Sequence, residues 1–299
     1  MRLLKESKGA KILINISLEE NNFKHFMGFR KKFKRLLWIE TNLNIEMNEI
    51  LSILKYSEKT ARIRILNPVI ASKFEAGHFV IIKFSQNDLR IPFSIIASDK
   101  EEGWIDIIIH RADGLEDILE ILKPGENVPD LLGPLGNPAV IEPGSSLLFF
   151  GDGAGVVPLL PLIHKAKLLG CKIKAVLSEH SSRTQCLRPE IDNDCETVVT
   201  VSDEKLLESA LNLLVNEPVD KVIMSGPTMM MKRLSVETKK REIPAECLLN
   251  MLMIDGIGLC GVCRVIVGGQ RKQTCTDGPI FNAHEVDFDQ LFNRQRNYV

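Results

Sequence analysis

The chain has 299 residues, 44% of them hydrophobic and 26% charged, with a formal net charge of -1. That length predicts two folded units, and the composition excludes disordered, collagen-like and membrane-spanning classes, since the longest apolar runs (147–150, for example) fall far short of the roughly 18 residues a spanning helix needs. A charge near zero, with no aromatic-rich basic stripe, argues against nucleic acid as a partner.

Residues 1–46 carry ten bases against five acids. They contain neither the apolar stretch nor the small-residue cleavage site of a signal peptide, and Glu19 and Glu20 count against an organellar presequence. This segment is expected to be a basic extension outside the main fold, with Met47 as an alternative start. Residues 47–144 read as short strands at 61–65, 78–84, 91–97 and 104–110, broken by turns at Asn67-Pro68, 86–88 and 99–103, which predicts a small antiparallel barrel or sandwich. From residue 145 to 243 strands alternate with helices: a strand at 147–150, a glycine loop and a helix to 169, strands at 173–177 and 197–201, a helix around 205–215, a strand at 221–224 and a helix from Met229. That rhythm predicts a parallel sheet wrapped by crossovers. Residues 244–299 are short, rich in Gly and Cys, and without a long periodic element, so a metal is expected to organise them.

The seven cysteines are odd in number and three lie near the C-terminus, which fits a reducing, cytoplasmic compartment better than a disulfide framework. In the run from Asp255 to Cys263, a two-residue spacer lets the thiolates of Cys260 and Cys263 share one turn. Gly256, Gly258 and Gly261 let the backbone wrap closely and offer N–H groups to sulfur. Cys275 follows after eleven residues. A fourth ligand is needed, and Asp255 stands where plant-type iron–sulfur loops place their first cysteine. A Cys3Asp zinc site and packed, reduced thiols are the alternatives.

This C-terminal run, with Gly268-Gly269, Cys275-Thr276-Asp277-Gly278-Pro279 and His284-Glu285-Val286-Asp287, resembles the small electron-transferring subunit of ferredoxin-dependent NADP oxidoreductases, also known as a sulfide dehydrogenase subunit. A cousin is the dihydroorotate dehydrogenase electron-transfer subunit, which uses four cysteines. The resemblance covers roughly residues 47–289. It implies a [2Fe–2S] cluster on Asp255, Cys260, Cys263 and Cys275, and a ferredoxin reductase-like fold: a β-barrel, an α/β domain and a small C-terminal iron–sulfur loop.

Two further motifs fit that family. Arg90-Ile91-Pro92-Phe93-Ser94 resembles its flavin motif: a strand-edge arginine for the FAD pyrophosphate, an aromatic over the isoalloxazine and a hydroxyl for a ring nitrogen. Gly133-Pro134-Leu135-Gly136 matches the loop that follows. Gly151, Gly153 and Gly155 lie between a strand and a helix, where backbone N–H groups meet a dinucleotide phosphate. Ser225-Gly226-Pro227 resembles the Cys/Ser-Gly-Pro turn of the nicotinamide pocket, and Arg183 fits a phosphate-holding position.

The chain departs from the pattern twice. Gly114-Leu115-Glu116-Asp117 puts two carboxylates where a Gly-Ser/Thr pair usually meets pyrophosphate, and Ser202-Asp203-Glu204 replaces a longer nucleotide-contacting loop. No nucleophile elbow or catalytic base is indicated. The expected function is electron transfer between NAD(P)H, FAD and the cluster, toward a larger flavoprotein and iron–sulfur subunit in a heterodimer, or toward ferredoxin. The rivals are a dihydroorotate dehydrogenase subunit, and a non-catalytic relay that has lost nucleotide turnover.

Overall fold

The computed structural model describes residues 47–85, 89–110, 118–179 and 182–296, together with four two-residue strands before residue 16. Those four pair as two small antiparallel ladders within a unit comprising residues 1–46, distinct from the unit of residues 47–299. The expected carboxylate pair Glu116 and Asp117 lies outside the described residues.

The larger unit begins with seven strands: β1 (Glu49–Lys55), β2 (Thr60–Leu66), β3 (Phe79–Lys83), β4 (Ile91–Ser94), β5 (Ala97–Asp99), β6 (Trp104–His110) and β7 (Asp130–Leu135). They form antiparallel sheets of order β1-β2-β6-β5 and β7-β3-β4. Both sheets feed one core: Ile63 and Ile65 from β2, Val80 and Ile82 from β3, Phe93 from β4, and Ile105, Ile107 and Ile109 from β6. The odd residues of β3 serve another core, because side chains alternate along a strand. Phe79 and Ile81 pack with Met251, Met253, Cys263 and Cys275, so β3 joins the barrel to the cysteine loop.

The stretch expected as one strand at 91–97 is two. Ile95 is buried in the barrel core and its neighbour Ile96 in the core beneath the α/β sheet, so the chain crosses between sheets at this point. The missed β1 is an edge strand with mostly exposed residues, which blurs the two-residue period on which a strand is recognised.

Next come β8 (Ser146–Gly151), α1 (Val156–Leu168), β9 (Lys172–Ser178), α2 (Ser182–Asp194), β10 (Thr197–Val201), α3 (Asp203–Asn216), β11 (Lys221–Ser225), α4 (Thr228–Lys240), β12 (Ala245–Leu248) and, after a hairpin of β13 (Arg264–Val267) and β14 (Gln270–Gln273), β15 (Ile280–Asn282) and α5 (Phe288–Arg296). The sheet order is β10-β9-β8-β11-β12-β15, with all neighbours parallel except the β12–β15 pair. The α/β sheet therefore continues past residue 244, and α5 is a periodic element that the sequence did not reveal there.

Barrel and sheet are tied by charge. Asp106 is fully buried and accepts from Arg62 Nε and Arg64 Nε, each at 2.8 Å, while Arg62 Nη1 reaches Glu190 on α2 at 2.8 Å. A buried carboxylate needs such partners, since leaving it unpaired costs several kcal/mol.

Candidate functional site

Two features expected to act together meet at the carboxyl edge of the parallel sheet. β8 leads through a single 3-10 turn, Gly153–Gly155, into α1. Directly beside it β11 ends in Ser225-Gly226, and Asp152 N donates to Ser225 O at 3.0 Å. The turns touch so closely that a Cβ on Gly155 would stand 2.2 Å from Ser225 O, and one on Gly226 (φ +159) would stand 2.8 Å from the Asp152 Cβ. Glycine is required there by packing, before any ligand is considered. Gly151 and Gly133 are also packing glycines, with Leu177 and Val80 respectively in the space a side chain would need. The Gly153 amide donates to Ser178 Oγ at 2.9 Å. Burial, with Asp203 nearby, pushes the Asp152 carboxyl above its usual range, against the lowering effect of Ser178.

A cleft of about 330 Å³ opens between this edge and the barrel. Pro92, Phe93 and Ser94 of β4 contribute to one wall, Ala154, Arg183 and Ser225 to the other, and the segment from Leu248 to Met253 crosses it on the way to the cysteine loop. The structure thus brings together five residues singled out in the sequence: Pro92, Phe93, Ser94, Arg183 and Ser225. Phe93 is only 6% exposed and stacks edge-on against Phe84, with centroids 5.9 Å apart, so its ring belongs mainly to the barrel core. Ser225 is buried too, and its Oγ donates to Leu248 O at 3.4 Å. Arg90 does not line the cleft; its guanidinium pairs with Asp130 at 2.7 Å. Gly133, Gly151, Gly153, Gly155, Gly226 and Pro227 are not among the residues that line it.

Sequence reasoning missed His78 and the stretch from Leu248 to Met253, all of which line the cleft. Burial pushes His78 below the ordinary imidazole range, and its Nδ1 accepts the Glu75 N–H at 3.1 Å. The signal for the second group was β12 itself, hidden because the cysteines drew residues after 244 into a separate segment.

The cysteine loop is anchored on the β13–β14 hairpin. Gly256, Gly258 and Gly261 all take positive φ (71°, 85° and 66°), the region glycine enters without penalty. A Cβ on Gly256 would strike Ile81 Cδ1 at 2.5 Å and one on Gly261 the Arg271 guanidinium at 2.6 Å. Gln273 Nε2 holds Gly258 O at 2.7 Å, Arg294 Nη2 holds Val262 O at 2.9 Å and Thr274 Oγ1 holds Cys263 O at 2.9 Å. Cys263 and Cys275 are buried with their sulfurs 3.3 Å apart. Burial and the Cys263 thiol push Cys275 up to about 12.

Cys260, three residues before Cys263, is exposed. Asp255 accepts backbone N–H groups from Ile257 at 3.1 Å, Leu259 at 2.9 Å and Cys260. What burial it has tends to raise its carboxyl, but the amides of Cys260, Ile257 and Leu259 outweigh this and hold it below the usual range. The four expected ligand residues therefore meet as two pairs, Cys263 with Cys275 through their sulfurs and Asp255 with the Cys260 N–H. Among the described residues no three His, Cys, Asp or Glu side chains converge as a metal-binding group. The donor set, three thiols and a carboxylate on a glycine loop with pinned carbonyls, fits an iron–sulfur group in chemistry.

The same stretch matches a known family. Residues 250–287 match the iron-sulfur cluster binding domain of dihydroorotate dehydrogenase B. The chain is 31% identical, over 84% of its length and 92% of the other protein's, to the dihydroorotate dehydrogenase B (NAD(+)) electron transfer subunit homolog of Thermotoga maritima. A chain in the structure of an NADH-dependent reduced ferredoxin-NADP oxidoreductase superimposes with a TM-score of 0.77 at 30% identity, over 84% of this chain and 94% of that one. The ferredoxin reductase of carbazole 1,9a-dioxygenase shares the fold alone, with a TM-score of 0.53 at 16% identity over 66% of this chain and 65% of that one. Among the described residues no helix is long and apolar enough to cross a membrane.

Proposed function

The chain belongs to the electron-transfer subunit family of dihydroorotate dehydrogenase B, and on that premise we propose that it moves electrons between NADH, FAD and one [2Fe–2S] cluster toward a larger partner subunit. The observation that carries this is the segment from Leu248 to Met253, which lines the cleft and runs without interruption into the cysteine loop. Ser94 and Pro92 on the barrel wall face the flavin side, with Arg90 close enough in sequence to leave Asp130 for a pyrophosphate. Gly151, Gly153 and Gly155 shape the turn at the start of α1, where the helix N-terminus favours a nucleotide phosphate. Ser225, Gly226 and Pro227 form the turn beside it, and Arg183 supplies a cation at the cleft.

Asp255, Cys260, Cys263 and Cys275 hold the cluster. Cys263 and Cys275 are in contact, and Asp255, which accepts the Cys260 amide, would supply the carboxylate beside the Cys260 thiol. Flavin, when bound, would supply the conversion between one hydride, which carries two electrons, and single electrons, the traffic an iron–sulfur group can carry. The chain's own contribution is placement: Phe79 and Ile81 of β3 hold the cysteine region against the barrel.

NADH is favoured over NADPH because Asp152 and Asp203 stand near each other at the nucleotide edge and oppose an additional phosphate. Those carboxylates also support the second reading, a relay that has lost nucleotide turnover. Rapid mixing of the FAD- and iron-loaded protein with each nucleotide decides between them. Flavin bleaching by NADH, much faster than by NADPH, supports the reductase; no bleaching by millimolar amounts of either supports the relay.

The partner would dock on the cysteine loop. Leu252, Ile254, Ile257 and Leu259 are 49%, 52%, 53% and 82% exposed, a cluster of apolar side chains unusual for a free surface. Leu259→Glu should abolish co-purification with the larger subunit while leaving the cluster spectrum intact.

A further inference from the structure

The polar wall of the cleft on the nucleotide side is not Ser225, whose hydroxyl is buried and turned toward Leu248 O. Two residues beyond Leu248 stands Asn250, exposed and lining the cleft, and among the described residues its carboxamide makes no hydrogen bond. Its neighbours along the segment, Leu248, Leu249, Met251 and Met253, are apolar and buried, so Asn250 is the polar side chain that this stretch offers to a ligand. The backbone leading to it is fixed, because Leu249 N donates to Pro279 O at 3.0 Å and Leu248 pairs in register with Ser225.

A primary carboxamide presents a donor and an acceptor side by side, a pattern matched by another primary carboxamide. Dinucleotides bind outside the carboxyl ends of the strands in such a sheet, and Asn250 follows one of those ends. The barrel wall, with Pro92 and Ser94, lies across the cleft. We propose that Asn250 pairs with the nicotinamide carboxamide and so sets which way the ring lies in the cleft. The proposal rests on the nucleotide site described above and deepens it: Asn250 becomes the residue that selects an intact carboxamide.

The test uses the full chain loaded with FAD and iron, in its oxidised form. NAD+ and its analogue with an acetyl group in place of the carboxamide are titrated in turn while the flavin absorbance is followed. Wild type should bind NAD+ about tenfold tighter than the analogue, the equivalent of one neutral hydrogen bond. Asn250→Ala should weaken NAD+ about tenfold and remove the difference between the two ligands, with FAD content and flavin spectrum unchanged. Undiminished NAD+ affinity and discrimination in the variant would overturn the proposal and leave the nucleotide site standing. Loss of FAD from the variant would overturn it in favour of a flavin contact. Failure of wild type to bind NAD+ or NADH at all would remove the nucleotide site itself, and the proposal with it.

Discussion

The glycine turn at 151–155 and the cysteine loop at 255–263 hold their shapes in different ways. The turn is completed by the polypeptide: Gly151 meets Leu177 and Gly155 meets Ser225, so that this packing involves no ligand. The loop is pinned at its carbonyls by Gln273, Arg294 and Thr274, and its expected ligands meet only as two pairs, Cys263 with Cys275 and Asp255 with the Cys260 amide. The nucleotide edge is thus set by close packing at Gly151, Gly155 and Gly226, whereas the proposed cluster site would be completed only by the group it binds.

This contrast can be broken most sharply at Cys275. Cys275→Ala should abolish iron retention, while denaturant unfolding of the cofactor-free protein moves by only about 1 kcal/mol. Gly155→Ala should do the reverse. Its Cβ meets backbone at 2.2 Å, so a loss of about 3 kcal/mol is expected in the same unfolding experiment, with iron content per folded chain unchanged.

Gly153→Ala sharpens the point. Nothing lies within 4 Å of its Cβ position, so only its positive φ is strained, at a cost of about 1 kcal/mol. Arg90→Ala removes a half-exposed pair with Asp130, worth under about 1 kcal/mol to the fold. A larger drop in FAD retained through gel filtration would show that the guanidinium leaves Asp130 for the flavin.

The smallest effect belongs to Asp152→Asn. Burial and Asp203 raise the Asp152 carboxyl, so the folded state holds that proton more tightly than the unfolded state. Its contribution to stability is present below the unfolded value and is lost as pH rises through the raised one. Asp152→Asn should therefore melt above wild type at pH 7, and the gap should close as the pH falls through the carboxyl's titration.

How much of this could be read beforehand follows the same division. The strands at 104–110 and 197–201 were legible because their apolar runs are bounded by turns, and both appear with those limits. The cysteine spacing announced an iron–sulfur domain, since ligand chemistry is local in sequence. Contacts between distant strands were not legible. The meeting of Gly155 with Ser225 depends on β8 and β11 being neighbours, and the alliance of Phe79 and Ile81 with the cysteine loop depends on β3 being buried on both faces. α2 was missed because its sequence is polar and interrupted by Pro189, which leaves little apolar periodicity. Asn250 was passed over because β12 was not recognised as the strand that delivers it.

The central claim is that one chain holds both a flavin and an iron–sulfur cluster, joined by the segment from Leu248 to Cys263. Flavin, iron and acid-labile sulfide should be quantified together on anaerobically purified protein. The account predicts one FAD with about two irons and about two sulfides per chain. Stoichiometric zinc without sulfide, or iron with no flavin retained at any loading, would contradict it.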